Sequence, residues 1–170
     1  MRKIYTKGLM MFIILLMPNL LSAQLRVFTE NFESSFPGSW QQEHAVGNTN
    51  WIRQSGSGLT FPDGAASGIG RLYFYQEAAT PAQTMLISPS IAIGDLRVPY
   101  NLNFYYALPS FGGSSLHDTL RVYIKSASSS NWTLLQTLST KEDFWKEAKL
   151  TVDFDADNVQ FAFQGTNGGG

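Results

Sequence analysis

The stretch HDTLRVYIKSASSSNWTLLQTL, His117–Leu138, decides the fold. Leu120, Val122 and Ile124 alternate with Arg121, Tyr123 and Lys125, the period of a strand with one buried and one wet face. Ser126–Asn131 follows with no apolar residue larger than Ala127, and Trp132–Leu138 resumes the strand pattern. The spacing predicts a β-hairpin whose loop is longer than the two-residue kind. A hairpin this apolar on one face does not stand alone in water, so the rest of the chain must supply strands that cover it.

Working outward, Asn101–Leu108 alternates in the same way, with Leu102, Phe104 and Tyr106 against Asn103 and Tyr105. Leu72 and Phe74 alternate with Tyr73 and Tyr75, and Val159, Phe161 and Phe163 form a further strand. Leu150, Val152 and Phe154 form another, and Ile91 and Ile93 mark a short one. The apolar run Met85–Ile87 ends at Ser88-Pro89, and a proline fits only a strand end or an edge. Leu25–Phe32 is a strand candidate, and Phe32, Phe36 and Trp40 are expected in the core. Glu43–Asn50 reads as a polar loop. Thr140–Ala148 reads as one or two helical turns, with Thr140 and Asp143 as a weak capping box. Ser55–Gly70 is rich in Gly and Ser and holds Pro62-Asp63-Gly64, a strong turn. It is expected to be a surface loop of the length that carries function. Pro109–Ser115 is a second such loop, and the tail from Gly165 reads as a turn. About eight short strands without a long helix predict an all-β, antiparallel β-sandwich of jelly-roll type.

The first 23 residues stand apart. Arg2, Lys3 and Lys7 precede the apolar run Leu9–Met17, and Leu21-Ser22-Ala23 offers small residues before Gln24. This is the layout of a secretory signal peptide cleaved after Ala23, and the run falls short of the about 20 residues that span a bilayer. Residues 24–170 then form one domain with nine basic and thirteen acidic residues, a net charge of about −4. Nucleic acid, which needs a basic face, is not an expected partner. There is no cysteine, so a disulfide scaffold is excluded and the domain folds on its core or a bound metal. No second apolar segment follows, so no membrane span is expected, and the product is expected outside the cell or on its surface.

Catalytic residues are not evident. The two histidines, His44 and His117, fall in predicted loops far apart, and no G-x-S-x-G or H-E-x-x-H occurs. Gly56-Ser57-Gly58 and Gly68-Ile69-Gly70 lack the later Gly or the Lys of a phosphate cradle. Asp153–Asp157 begins like an EF-hand, but Asn158 stands at the obligatory Gly and Gln164 at the bidentate Glu. The metal candidates are Glu33, Asp63 and Asp118, hard oxygen ligands on separate loops as calcium requires.

Phe32-Glu33, Gly38–Gln42, Trp51, the Gly-rich loop with Asp63, Gly70–Tyr75 and Leu86–Pro89 follow one another in an order that resembles a MAM-type domain. Leu102–Tyr106, Asp118–Val122 and Val159–Gly165 complete the order. The resemblance covers residues 28–170 and is closest to the cysteine-free bacterial branch of cleaved-adhesin and choice-of-anchor J domains. It implies a jelly-roll (galactose-binding-like or MAM-like) used as a noncatalytic adhesion or ligand-binding module of a larger exported protein. Its partner would be a glycan or a protein at the cell surface. An accessory domain of a secreted hydrolase is the alternative. Relatives of this kind bind calcium through the Glu of the F-E pair, an Asp of the long loop and an Asp of a last strand. Glu33 and Asp63 match the first two, and the third has no counterpart, which sets an expectation that the sandwich lacks its last strand.

Overall fold

The computed structural model describes residues 26–56, 62–74, 81–94, 99–109 and 118–167. The expected signal peptide, residues 57–61 of the first long loop, Tyr75, residues 110–115 of the second loop and His117 lie outside them. Among the described residues all ten elements are strands: β1 (Gln41–Val46), β2 (Ile52–Ser55), β3 (Gly70–Tyr73), β4 (Ala82–Ile87), β5 (Ile91–Ala92), β6 (Tyr100–Leu108), β7 (Thr119–Ser126), β8 (Thr133–Leu138), β9 (Glu142–Val152) and β10 (Asn158–Asn167). The hairpin read from His117–Leu138 is β7–β8, paired from Leu120↔Leu138 to Ile124↔Thr133. A bulge opposite Val122 and Tyr123 lets Leu135 pack into the core.

The larger sheet runs β1-β4-β10-β7-β8, with β5 also paired to β10, and β6–β9 and β2–β3 are separate antiparallel pairs. The apolar alternation of β7 and β10 explains the layering. Leu120, Val122 and Ile124 on β7, with Val159, Phe161 and Phe163 on β10, share one side of the ladder. That side meets Tyr100, Leu102, Phe104 and Tyr106 of β6 and Ala148 and Val152 of β9. The two layers make the all-β sandwich expected from the sequence. Val122 and Ile124 are wholly buried, each contributing roughly 1.5–3 kcal/mol by transfer from water. A chain of rings links the halves of the core: Phe163 lies 5.2 Å from Phe104 in an edge contact and 6.4 Å from Trp40. Tyr100 donates its OH to Phe154 O at 3.2 Å, and burial pushes its phenol up to about 12.

Ser88-Pro89 shows how a proline is accommodated beside a central strand. β4 stops at Ile87, and Pro89 supplies no N–H to continue the ladder. Ser88 closes the gap. Its N–H donates to Phe161 O at 2.9 Å, and its Oγ accepts from Phe161 N at 3.0 Å. Gln160 Nε2 donates to Ser88 O at 3.0 Å, and β5 then resumes pairing at Val159↔Ile91. Ser88→Ala should leave the buried Phe161 N–H without an acceptor and lower stability by about 1–3 kcal/mol. A denaturant midpoint equal to that of the unsubstituted chain would show that the ladder heals without the hydroxyl.

Four expectations change. Arg26–Phe32 is not a strand: Glu30 Oε1 accepts from both Asn31 N and Phe32 N at 2.9 Å, folding the chain into a turn, and Phe32 has φ of 57°. Gln41–Val46, taken in part for a polar loop, is β1, an exposed edge strand held by backbone pairing to β4 rather than by an apolar face. Thr140–Ala148 is not helical: Ala148, Leu150 and Val152 pair with Phe104, Leu102 and Tyr100, and that tertiary ladder overrides the weak cap. Gly165, Thr166 and Asn167 are not a turn but the end of β10, paired with Thr84, Gln83 and Ala82.

Candidate functional site

Residues 62–70 of the long loop expected to carry function are held by two charged side chains, Glu33 and Arg71. Glu33 follows Phe32, the one described non-glycine residue with positive φ. That left-handed turn aims the Glu33 carboxylate at the far end of the loop. Its oxygens accept from Ile69 N at 3.0 and 3.1 Å and from Gly70 N at 3.2 Å. Glycine is required on this side of the contact. A Cβ at Gly68, whose φ is +67°, would lie 2.2 Å from Glu33 Oε1, and one at Gly70 would lie 2.1 Å from Phe32 O.

Two arginines complete the clamp. Arg53 on β2 donates from Nε to Phe32 O at 2.7 Å and from Nη2 to Glu33 O. Arg71 on β3 is 6% exposed and donates from Nη1 to the carbonyls of Pro62 and Gly64, the residues on either side of Asp63. Its Nη2 and Nε reach Gln54 Oε1 at 2.8 and 3.1 Å. Trp145 Nε1, from β9, adds a bond to Gly64 O at 3.2 Å. The planar guanidinium suits this work, because several carbonyls in one plane accept from one rigid fork.

The three metal candidates are placed differently. Glu33 is half-buried in the clamp, Asp63 is exposed in the loop, and Asp118 is half-buried just before β7. Among the described residues no group of three or more His, Asp or Glu side chains stands together as a metal cage. Calcium takes six to eight oxygens. Here the Glu33 oxygens face N–H donors and the carbonyls flanking Asp63 face a guanidinium, so these residues do not fit a calcium centre built on Glu33 and Asp63. His44 lies on β1, not in a loop, and its Nε2 bonds Asn50 Oδ1 at 2.9 Å. A shallow depression of about 640 Å³ elsewhere is lined by Ser90, Ser126, Ser128, Asp155 and Asp157 among others, and Ser126 Oγ and Ser128 Oγ there bond each other at 3.0 Å.

The Ile69 and Gly70 N–H groups, and then Arg53, hold the Glu33 carboxyl below the usual glutamate range. The unfolded chain has the ordinary, higher value. The contribution to folding is therefore complete above the ordinary value and is lost as pH falls through the depressed one. Limited proteolysis of the loop should rise in that acid window, and Glu33→Gln should make cleavage high and flat with pH. A pH-independent digestion of the unsubstituted chain would show that the clamp does not depend on this charge.

An all-β sandwich with a charge-clamped loop on one of its strand pairs is the class of domain these features define. The family model for the MAM domain, meprin/A5/mu, matches residues 31–170, and the chain belongs to that family. Among solved structures it is similar to the K2 cleaved adhesin domain of Lys-gingipain, with a TM-score of 0.56 at 20% identity over 82% of this chain and 95% of that one. At that identity the likeness bears on the fold. No curated protein matches the chain. No helix among the described residues is long and apolar enough to cross a membrane.

Proposed function

We propose that the chain is an exported, noncatalytic adhesion module, displayed on a cell or carried as the N-terminal part of a larger secreted protein. The observation behind this reading is the clamped loop. Its described part, residues 62–70, is held by Glu33 and Arg71, yet Ile69 is 61% exposed at its end, and Ile52 on the adjoining strand is 53% exposed. Apolar side chains on a fixed backbone lose little entropy when a partner covers them. Membership of the MAM family supports the same reading.

The mature chain, residues 24–170, should bind at least one component of a combined glycan and matrix-protein array. Ile69→Asp should weaken a loop-borne contact at least tenfold. Arrays run with calcium and with chelator should agree, since a guanidinium already occupies the loop carbonyls. Silence on both arrays would remove the adhesion reading and leave the accessory domain of a hydrolase.

A further inference from the structure

The side of the larger sheet that turns away from β6 and β9 carries a second constellation. Arg121, Tyr123 and Lys125 of β7 point there, opposite to the buried Leu120, Val122 and Ile124. Their ladder partners on β10 are Gln164, Ala162 and Gln160. On β8, Leu134 stands beside Tyr123 and is 51% exposed. Toward the centre of the sheet this face closes over, with Ala162 and Ile87 buried, so its accessible part is the strip along β7 and β8.

The charges single this face out. Residues 24–170 are acidic, and Lys141, Lys146 and Lys149 each pair with a carboxylate nearby in sequence. Arg53 and Arg71 are committed to loop carbonyls. Arg121, Lys125 and Arg26 have neither arrangement among the described residues, and of these only Arg121 and Lys125 share a strand. Gln164 Oε1 accepts from Arg121 Nη1 at 3.5 Å and from Tyr123 OH at 3.3 Å, while Lys125 Nζ sits 4.9 Å from the Trp132 ring centroid. An amide and an indole position a cation without neutralising it. The two charges are four residues apart on one strand, about 13 Å. Glu43 shares the cross-strand row of Arg121 but stands three strands away, about 14 Å, beyond the screening length in physiological salt.

We propose that this face binds an acidic polysaccharide, a chain of sugars bearing carboxylate or sulfate groups; the assignment rests on the reading of the domain as an adhesion module. Arg121 and Lys125 take the anionic groups, the guanidinium in a bidentate fork. Tyr123 and Leu134 offer apolar surface to the faces of the sugar rings, and the half-buried Gln160 sets an amide beside their hydroxyls, while the buried Gln164 holds Arg121 and Tyr123 in place. The spacing of the cations suits a chain rather than a single ring. An acidic peptide fits less well, because extended peptides add to open sheet edges, and β7 and β10 are interior strands.

The test titrates the mature chain against an immobilised uronic-acid or sulfated polysaccharide and against its carboxyl-reduced or desulfated counterpart. Binding to the acidic form should be at least tenfold tighter and should weaken as salt is raised, a measurement that needs no variant. Arg121→Gln with Lys125→Gln should cost at least tenfold, while Lys149→Gln, which removes a paired charge on β9, should cost less than twofold. Equal affinity for the neutral polymer, an equal loss in Lys149→Gln, or binding of a poly-glutamate peptide in place of the polysaccharide would overturn the assignment. If the arrays reveal another ligand that the double variant still binds, the adhesion reading stands and this face is not its site.

Discussion

Gly165→Val is expected to destabilise the domain by roughly 3 kcal/mol, the upper end of the overpacking range, because the site has little room to relax. Gly165 lies near the end of β10, between Thr84 of β4 and Leu120 of β7. A Cβ there would stand 2.6 Å from Phe74 Cδ1 and 2.8 Å from Trp51 Cζ2. Those two rings pack at 5.2 Å, and the indole is not free to retreat. Trp51 Nε1 donates to Thr84 O at 3.0 Å, Trp51 N donates to Gln42 Oε1 at 2.7 Å, and Gln42 Nε2 returns a bond to Trp51 O at 3.0 Å. Moving the ring far enough to admit valine breaks this network and lifts the β2–β3 pair off the larger sheet. Denaturant midpoint and tryptophan emission should shift together. An unchanged midpoint would mean that the aromatic lid closes over a side chain as readily as over hydrogen.

The second large effect is at Gly70. Its added Cβ would meet backbone, Phe32 O at 2.1 Å and Phe32 C at 2.7 Å, where no rotamer change helps. Gly70→Ala should therefore expel residues 31–33, break the Glu33 and Arg53 contacts together, and cost about 2–4 kcal/mol. Rapid proteolysis near the loop is the expected readout. Gly38→Ala is the control, because its Cβ meets nothing within 4 Å, and it should stay within about 0.5 kcal/mol of the parent. Equal behaviour of the two variants would remove close approach as the reason for glycine at Gly70.

What could be read beforehand followed face alternation. β6, β7 and the first half of β10 each bury one face against the opposite layer, so their apolar residues repeat every second position. β1 could not be read that way, since five of its six residues are exposed and only the β4 backbone holds it. β9 was disguised at its start, where Glu142 to Glu147 shows no alternation and Phe144 is 76% exposed. In the sequence Gly165 reads as a turn because glycine usually marks one, whereas in the fold its missing side chain makes space for Trp51. Of the site, Glu33 and the long loop were visible. Arg53 and Arg71 were not, because a side chain that binds backbone carbonyls 7 to 21 positions away leaves no motif spacing to detect. The outer face of β7 was hidden for a related reason: Arg121 and Lys125 look like any wet-face charges until the ladder shows which neighbours they lack.

The placement of β10 has a consequence for the order of events in synthesis. This strand fills the middle of the larger sheet, between β4 with β5 on one side and β7 on the other, although it is the last described strand along the chain. Every pairing that joins the two halves of that sheet must wait until residues 158–167 have emerged. Nascent chains that stop short of Asn158 would expose two unsatisfied strand edges, on β4 and β7, open to any other extended segment. Such long-range closure is slow. A chain released before these residues are made is a substrate for proteases rather than a working fragment.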